Sequence, residues 1–370
     1  MRSPVSLLSA AFLLSPALQA LVYGSPLVER TPAPPCNADN PFLNQVGFAN
    51  PGYAQKLEET IASFLAEGDI VNAAKTRTVQ KVSTFTWISA FGDNATGAGA
   101  SAGELTLADG GMEKYRQFID QIVATINKPP YDRLDFTIVL EPDSLGNLIT
   151  NLESAPKCKL AEPAYKEGLS YAISKLQQKN VALYIDAAHS NWLGWPAILS
   201  LLFKEVVSGA GPNAKIRGFA TNVSNYNGYN ATTPDAIYGP GPDNPNLSEL
   251  RYAKALQPYL EAEGLPAQFI IDQGRSGAQN IRDLGGHWCN IEGAGFGIRP
   301  TTQTGDCNID SLVWVKPGSE SDGTSDSSAA RFDENCVSSD AHIPAPEAGA
   351  WFNDFVKTLV KNSNPPLEES

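Results

Sequence analysis

The sequence predicts an α/β fold built on a parallel sheet, open or closed into a barrel. Three observations predict it. Continuous apolar runs of strand length recur along the chain, as expected for strands buried on both faces. Helical stretches separate them, which is the repeat of a parallel sheet. Nearly every run ends in polar or aromatic residues.

The strand candidates are VSTFTWIS (82–89), LDFTIVLEP (134–142), VALYIDAAH (181–189), IRGFATNVS (216–224), AQFIIDQG (267–274) and DSLVWVKP (310–317). Helical patterns occupy MEKYRQFIDQIVATIN (112–127), AYKEGLSYAISKLQQKN (164–180) and SELRYAKALQPYLEAEG (248–264), the last ended by Gly264. The strand ends carry Trp87, Glu141 with Asp143, Asp186 with His189, Asn222 with Asn225, Asp272 with Arg275, and Lys316 with Glu320 and Asp322. In parallel α/β folds the active site lies at the carboxyl ends of the strands. A single acid there commonly caps a helix or pairs within a loop. The same habit at six strand ends argues for a site. Side chains alternate along an extended chain, so Glu141 and Asp143 are expected on one side.

Composition narrows the function. The 370 residues are 42% hydrophobic and 18% charged, enough for a sizeable core, and carry a net charge of −13. Acidic balance argues against nucleic acid and anionic membranes as partners. It suits a secreted, monomeric protein acting on a neutral substrate. Residues 1–20 read as a signal peptide: Arg2 supplies the positive start, an apolar stretch follows, and Ala17-Leu18-Gln19-Ala20 resembles a cleavage site. Pro16 breaks the stretch, which is too short to span a membrane. Residues 21–40 form a short Pro-rich lead. Residues 41–370 read as a single domain with no separate binding module. Four sequons, at Asn94, Asn222, Asn230 and Asn246, agree with a secreted glycoprotein. The five cysteines are Cys36, Cys158, Cys289, Cys307 and Cys336. An oxidising compartment favours disulfides, and an odd count leaves one over. His189, His287 and His342 stand far apart in sequence, so no metal site or cofactor is expected.

Carboxylates beside tryptophans suit carbohydrate. Sugar rings pack their C–H faces on aromatic planes, while their hydroxyls need carboxylates and amides. AAHSNWLGWP places Trp192 and Trp195 after the strand that ends in Asp186. Trp87 and Trp288 lie near other strand ends; Trp314, inside an apolar run, reads as core. Glycosidic cleavage commonly uses two carboxylates, one protonated as acid and one aiding water or acting as nucleophile. No G-x-S-x-G elbow, P-loop or dinucleotide fingerprint competes.

Several long segments then carry a resemblance: TLADGGMEKYRQFID, VLEPDSLGNLITN, YIDAAHSNWLGWP, FATNVSNYNGYN, IDQGRSG, WCN, GAGFGIRP and VWVKPGSESDGTSDSSAARFD. They resemble fungal glycoside hydrolase family 6, the inverting cellobiohydrolases and endoglucanases. The resemblance implies a distorted parallel (β/α) barrel with a substrate cleft across the strand ends. It implies a secreted cellulase cutting β-1,4-glucosidic bonds in cellulose or cello-oligosaccharide and releasing cellobiose. Asp143 matches the general acid and Asp322 the carboxylate proposed as base. Trp87, Ser89, Asp186, His189, Trp192, Trp195, Asn225, Trp288, Lys316 and Glu320 match substrate-site positions, with Ser89 standing where relatives often have Asp. Cys289 and Cys336 match a disulfide that anchors the loop of Asp322. A nearby carboxylate raises the pKa of an acid that must stay protonated, and Glu141 is the expected neighbour of Asp143.

The match breaks between Trp87 and Leu107. About thirty residues are missing there, roughly one β–α unit. With them go a strand, a tyrosine and an aspartate that assist the acid, and the usual partner of Cys158. Cys36 and Cys307 remain as alternative partners, and Asp93 as a replacement for the lost aspartate. Two origins are open, a gene model lacking an exon-like block or a divergent protein with a weakened site. The retention of all other site residues favours the first. An endo-acting glucanase with an open cleft and a catalytically impaired glucan-binding protein are the alternative functions.

Overall fold

The computed structural model describes residues 37–85, 107–193, 197–231, 246–316 and 318–369. The expectations placed on Cys36, Trp87, Ser89, Asp93, Asn94 and Trp195 lie outside them. A compact unit runs from Asp39 to Ser370.

Two helices come first, α1 (Pro51–Ala66) and α2 (Ile70–Val79). Asn50 starts α1 by accepting the amides of Gly52 and Tyr53, and Asp69 starts α2 by accepting that of Asn72. Then follow α3 (Gly111–Ile126), β1 (Phe136–Leu140), α4 (Ser144–Asn151), α5 (Pro156–Leu176), β2 (Val181–Asp186) and α6 (Ala197–Gly209). The chain continues through β3 (Gly218–Thr221), α7 (Glu249–Ala262), β4 (Phe269–Asp272), β5 (Ile309–Val313) and α8 (Asn353–Lys361). The helix expected over 164–180 starts earlier, at Pro156, because proline fits the first helical turn. Ser248 starts α7, and Gly264, at φ +71°, takes the left-handed position just beyond it.

The five strands form one parallel sheet in the order β1-β2-β3-β4-β5. Each lies beside its sequence neighbour, so every crossover is a single helix-bearing connection or a long loop. The fold is the expected parallel α/β architecture, with five of the six candidate strands formed. Of the sixth, residues 82–85 are described: Val82 and Thr84 are buried, and the Phe85 amide donates to the Trp314 carbonyl at 2.9 Å. The chain therefore passes beside the end of β5 at this point.

The core lies between sheet and helices. Phe219 packs between Phe203 and Phe269, with ring centroids 4.5 and 6.1 Å away. All three are fully buried, each contributing about 2–3 kcal/mol. A second cluster joins α1, α2 and α8 around Phe64, Phe296 and Trp314. Trp314 is buried and stacked on Phe296, a core role.

β1 differs from the other strands. β3, β4 and β5 are buried throughout, whereas four of the five β1 residues are only half-buried. Among the described residues β1 pairs with β2 alone. A cleft of about 2580 Å³ runs along its other side, lined by Thr137 and Val139 of β1, Phe118 and Ile122 of α3, and Phe85 and Val313 opposite. The gap accords with the loss of one strand–helix unit.

The cysteines and sequons sort by burial. Cys289 and Cys336 are joined. Cys307 is also disulfide-bonded, but Cys158, fully buried on α5, forms no disulfide, so neither alternative partner takes it. Asn222 and Asn246 are buried, and Asn230 is exposed. Folding therefore hides two of the four sequons.

At the amino end of the sheet, Asp310 of β5 accepts the Tyr184 hydroxyl at 2.7 Å and two guanidinium bonds from Arg217 at 2.9 and 2.8 Å. Asp310 is fully buried. Asp310→Ala would leave the Arg217 charge and the Tyr184 hydroxyl without this acceptor. It is expected to cost about 3 kcal/mol, read as a lowered thermal midpoint. An unchanged midpoint would contradict this account.

Candidate active site

Asp143 stands where β1 turns into α4. Glu141 and Asp143 have φ +47° and +64°, with Pro142 between them. Non-glycine residues rarely adopt this left-handed conformation, and its cost is a hallmark of functional sites. The turn also corrects an expectation. β1 stops at Leu140, so strand alternation does not govern the two acids. Glu141 accepts the Tyr115 hydroxyl at 2.8 Å. Asp143 takes the N-cap position of α4, yet its side chain makes no capping bond. Its carboxylate is not spent on the helix, as a strand-end acid's commonly is.

The carboxylate coupled to Asp143 is Asp186, at the end of β2, rather than Glu141. Asp186 Oδ1 accepts the Asp143 amide at 3.1 Å and the Ala188 amide at 3.0 Å. Asp186 is 2% exposed, and its Oδ2 is buried without a hydrogen bond. Burial first, then the Asp143 charge, raises its pKa well above the usual carboxylate range. The pair therefore keeps a proton when isolated carboxylates have lost theirs.

Asp322 has the opposite environment. Oδ2 accepts Arg275 Nη1 at 2.6 Å, the Asn290 amide at 2.9 Å and the Tyr226 hydroxyl at 3.3 Å. Oδ1 accepts Lys316 Nζ at 3.0 Å. Burial alone would raise its pKa, but Arg275 and Lys316 outweigh it and hold the carboxyl down at about 2. Arg275 also lies over the Tyr226 ring, 4.3 Å from its centroid. The Asn290 side chain accepts the Asp322 amide at 2.8 Å and donates to the Gly323 carbonyl at 3.0 Å. Asn290 follows Cys289, so the disulfide to Cys336 braces this loop. Glu320 lies on the same loop and bridges through its backbone to Trp351.

A third group surrounds His189, which is buried after β2. Asn225 Nδ2 lies 2.9 Å from Nε2 and Asn227 Nδ2 lies 3.0 Å from Nδ1. Arg282 donates to the carbonyl oxygens of both asparagines, at 3.3 and 2.7 Å. Burial, helped by Arg282, pushes the imidazole down to about 3, so it is neutral at ordinary pH. Trp192 packs on His189 with centroids 5.7 Å apart, and Gly146 of α4 leaves room for its indole. Trp288 is half-buried, and its carbonyl accepts the Tyr226 hydroxyl at 3.2 Å.

The structure thus connects Asp143 with Asp186, Asp322 with Lys316, and His189 with Asn225 and Trp192. Sequence reasoning missed Tyr226, Asn290, Asn227 and Arg282 as site residues. It noted Arg275 at a strand end without giving it a role. A cation directly after the buried strand FIID was the available signal, since a buried guanidinium needs a carboxylate partner. Among the described residues, no group of three or more His, Cys, Asp or Glu is arranged to hold a metal ion. No described helix is long and apolar enough to cross a membrane.

The low folded pKa of Asp322 has a stability consequence with a definite sign. Its contribution is full above the unfolded value near 3.8 and is lost as pH falls toward about 2. Asp322→Asn is expected to cost about 2 kcal/mol at neutral pH. The difference from wild type should shrink between about pH 4 and pH 2 in thermal denaturation. A difference independent of pH would contradict the assignment.

The chain matches the glycosyl hydrolases family 6 over residues 92–363. It is 45% identical to exoglucanase 3 of Agaricus bisporus, across 89% of this chain and 80% of that one. That alignment runs to 363 positions while taking in 89% of the 370 residues, so about thirty of its positions have no counterpart here. It is 42% identical to exoglucanase 2 of Hypocrea jecorina, across 88% of this chain and 75% of the other. A family 6 enzyme from Coprinopsis cinerea superposes with a TM-score of 0.85 at 48% identity, covering 89% of this chain and 99% of that one. Cellobiohydrolase II from Humicola insolens, in complex with glucose and cellotetraose, superposes with a TM-score of 0.81 at 38% identity, covering 88% and 99%. With this fold, these strand-end carboxylates and matches of this extent, the chain belongs to glycosyl hydrolases family 6.

Proposed function

We propose that the protein is a secreted, inverting hydrolase of β-1,4-glucosidic bonds in cellulose chains, releasing cellobiose. The single observation that carries the reading is the Asp143–Asp186 pair. A general acid must hold a proton at working pH, and two coupled carboxylates, one buried without a counter-charge, retain one. Relatives named exoglucanase and cellobiohydrolase support the substrate and the product. The expected signal peptide and the disulfide between Cys289 and Cys336 support secretion.

The chemistry follows from the unequal environments. Asp143 gives its proton to the glycosidic oxygen as the bond to the leaving sugar breaks. Water attacks the anomeric carbon from the opposite face, which inverts the configuration. Asp322 already accepts four hydrogen bonds, including two from cations. It is a weak base, so its charge stabilises the oxocarbenium-like transition state while the water's proton leaves through solvent. Trp192 and Trp288 offer planes for the sugar faces.

The test is cellotetraose hydrolysis followed by proton NMR of the newly formed anomer. The wild-type chain is expected to release α-cellobiose first, and Asp143→Asn to lose about 10²- to 10⁴-fold in kcat. Release of the β-anomer, or an Asp143→Asn variant of wild-type activity, would overturn the proposal.

A further inference from the structure

Asp272, the last residue of β4, is 2% exposed, and its carboxylate accepts four backbone amides. Oδ1 takes those of Gly274 at 2.9 Å and Val315 at 3.1 Å. Oδ2 takes those of Ser224 and Lys316, both at 3.1 Å. These donors come from three different loops, those that follow β3, β4 and β5. Each loop delivers a site group. Asn225 follows Ser224 and reaches His189; Arg275 follows Gly274 and reaches Asp322; Lys316 itself reaches Asp322. Arg275 also donates to the Ser224 carbonyl.

Only an ionised carboxylate fits this arrangement. It presents acceptor sites alone, about four of them, to four N–H donors. An asparagine would turn its own N–H₂ toward two of the donors. We infer that Asp272 is a positioning residue for hydrolysis, setting the relative places of the loops that carry Asn225, Arg275 and Lys316 and so the ion cluster on Asp322. The inference rests on the hydrolase reading above. Gly274 belongs to the same device: a Cβ there would lie 2.8 Å from the Lys316 carbonyl oxygen and 3.2 Å from Asp272 Oδ1. Any side chain would push the β4 and β5 loops apart.

The experiment compares wild type, Asp272→Asn, Gly274→Ala and an Asp143→Asn control. Each is checked for folding by circular dichroism, then assayed for kcat, KM and pH profile on cellotetraose. Asp272→Asn is expected to lose about ten- to hundredfold in kcat. KM should stay within about threefold, because Trp192 and Trp288 stand on other segments. The acid limb of the profile should move to higher pH, because Asp322 is held less firmly by its cations. Gly274→Ala should move all three readouts the same way by less, and it decides the matter alone if Asp272→Asn does not fold. Folded variants with a lowered thermal midpoint but wild-type kcat and pH profile would overturn the inference and leave Asp272 merely structural. An inactive wild type would instead overturn the hydrolase reading, and this inference with it. An active wild type, an inactive control and an unimpaired Asp272→Asn would overturn this inference alone.

Discussion

Burial of a parallel sheet on both faces is the constraint from which the rest follows. Strand interiors of this kind admit few polar groups, so the chemistry is displaced to the ends. β2 and β4 run apolar and then deliver Asp186 and Asp272, and Lys316 follows β5. Once gathered at one rim, these groups are shielded from water and must satisfy one another. Asp272 does so through four backbone amides, Asp322 through two cations, an amide and a phenol, and Asp186 through two amides on a single oxygen. The site is what a buried parallel sheet leaves at its edge.

That crowding separates the acids by charge. Asp186 has a carboxylate beside it and no cation, so burial drives its pKa up. Asp322 is as buried but has Arg275 and Lys316, and its pKa goes down to about 2. Two carboxylates on one rim thus reach opposite protonation states at one pH, and Asp186 holds, beside Asp143, the kind of proton that acid-assisted glycosidic cleavage requires. The loss of one strand–helix unit is seen in the sheet, where β1 is half-buried beside a large cleft.

Much of this was legible in the sequence. The apolar runs gave strands and the residues just beyond them gave Asp143, Asp186, His189 and Asp322, because strand burial and strand-end polarity are both one-dimensional patterns. Partnership was not legible. Glu141 is nearer Asp143 in sequence than Asp186 is, and alternation favoured it. The backbone instead leaves the strand conformation at Glu141 itself, which hands that acid to Tyr115. Tyr226 and Asn290 reach Asp322 from 96 and 32 positions away. No local pattern encodes contacts of that span. Cys158 is the opposite case: the odd cysteine count left one over, and Cys158 forms no disulfide.

The central claim is that the Asp143–Asp186 pair holds a proton while Asp322 does not. Carboxyl-carbon NMR titration of aspartate-labelled protein tests it most directly, with the resonances assigned from single Asp→Asn variants. The account predicts that one proton of the pair titrates well above the ordinary aspartate range and that Asp322 stays ionised down to about pH 2. Ordinary titration of both members of the pair, or a protonated Asp322 at mildly acidic pH, would contradict it.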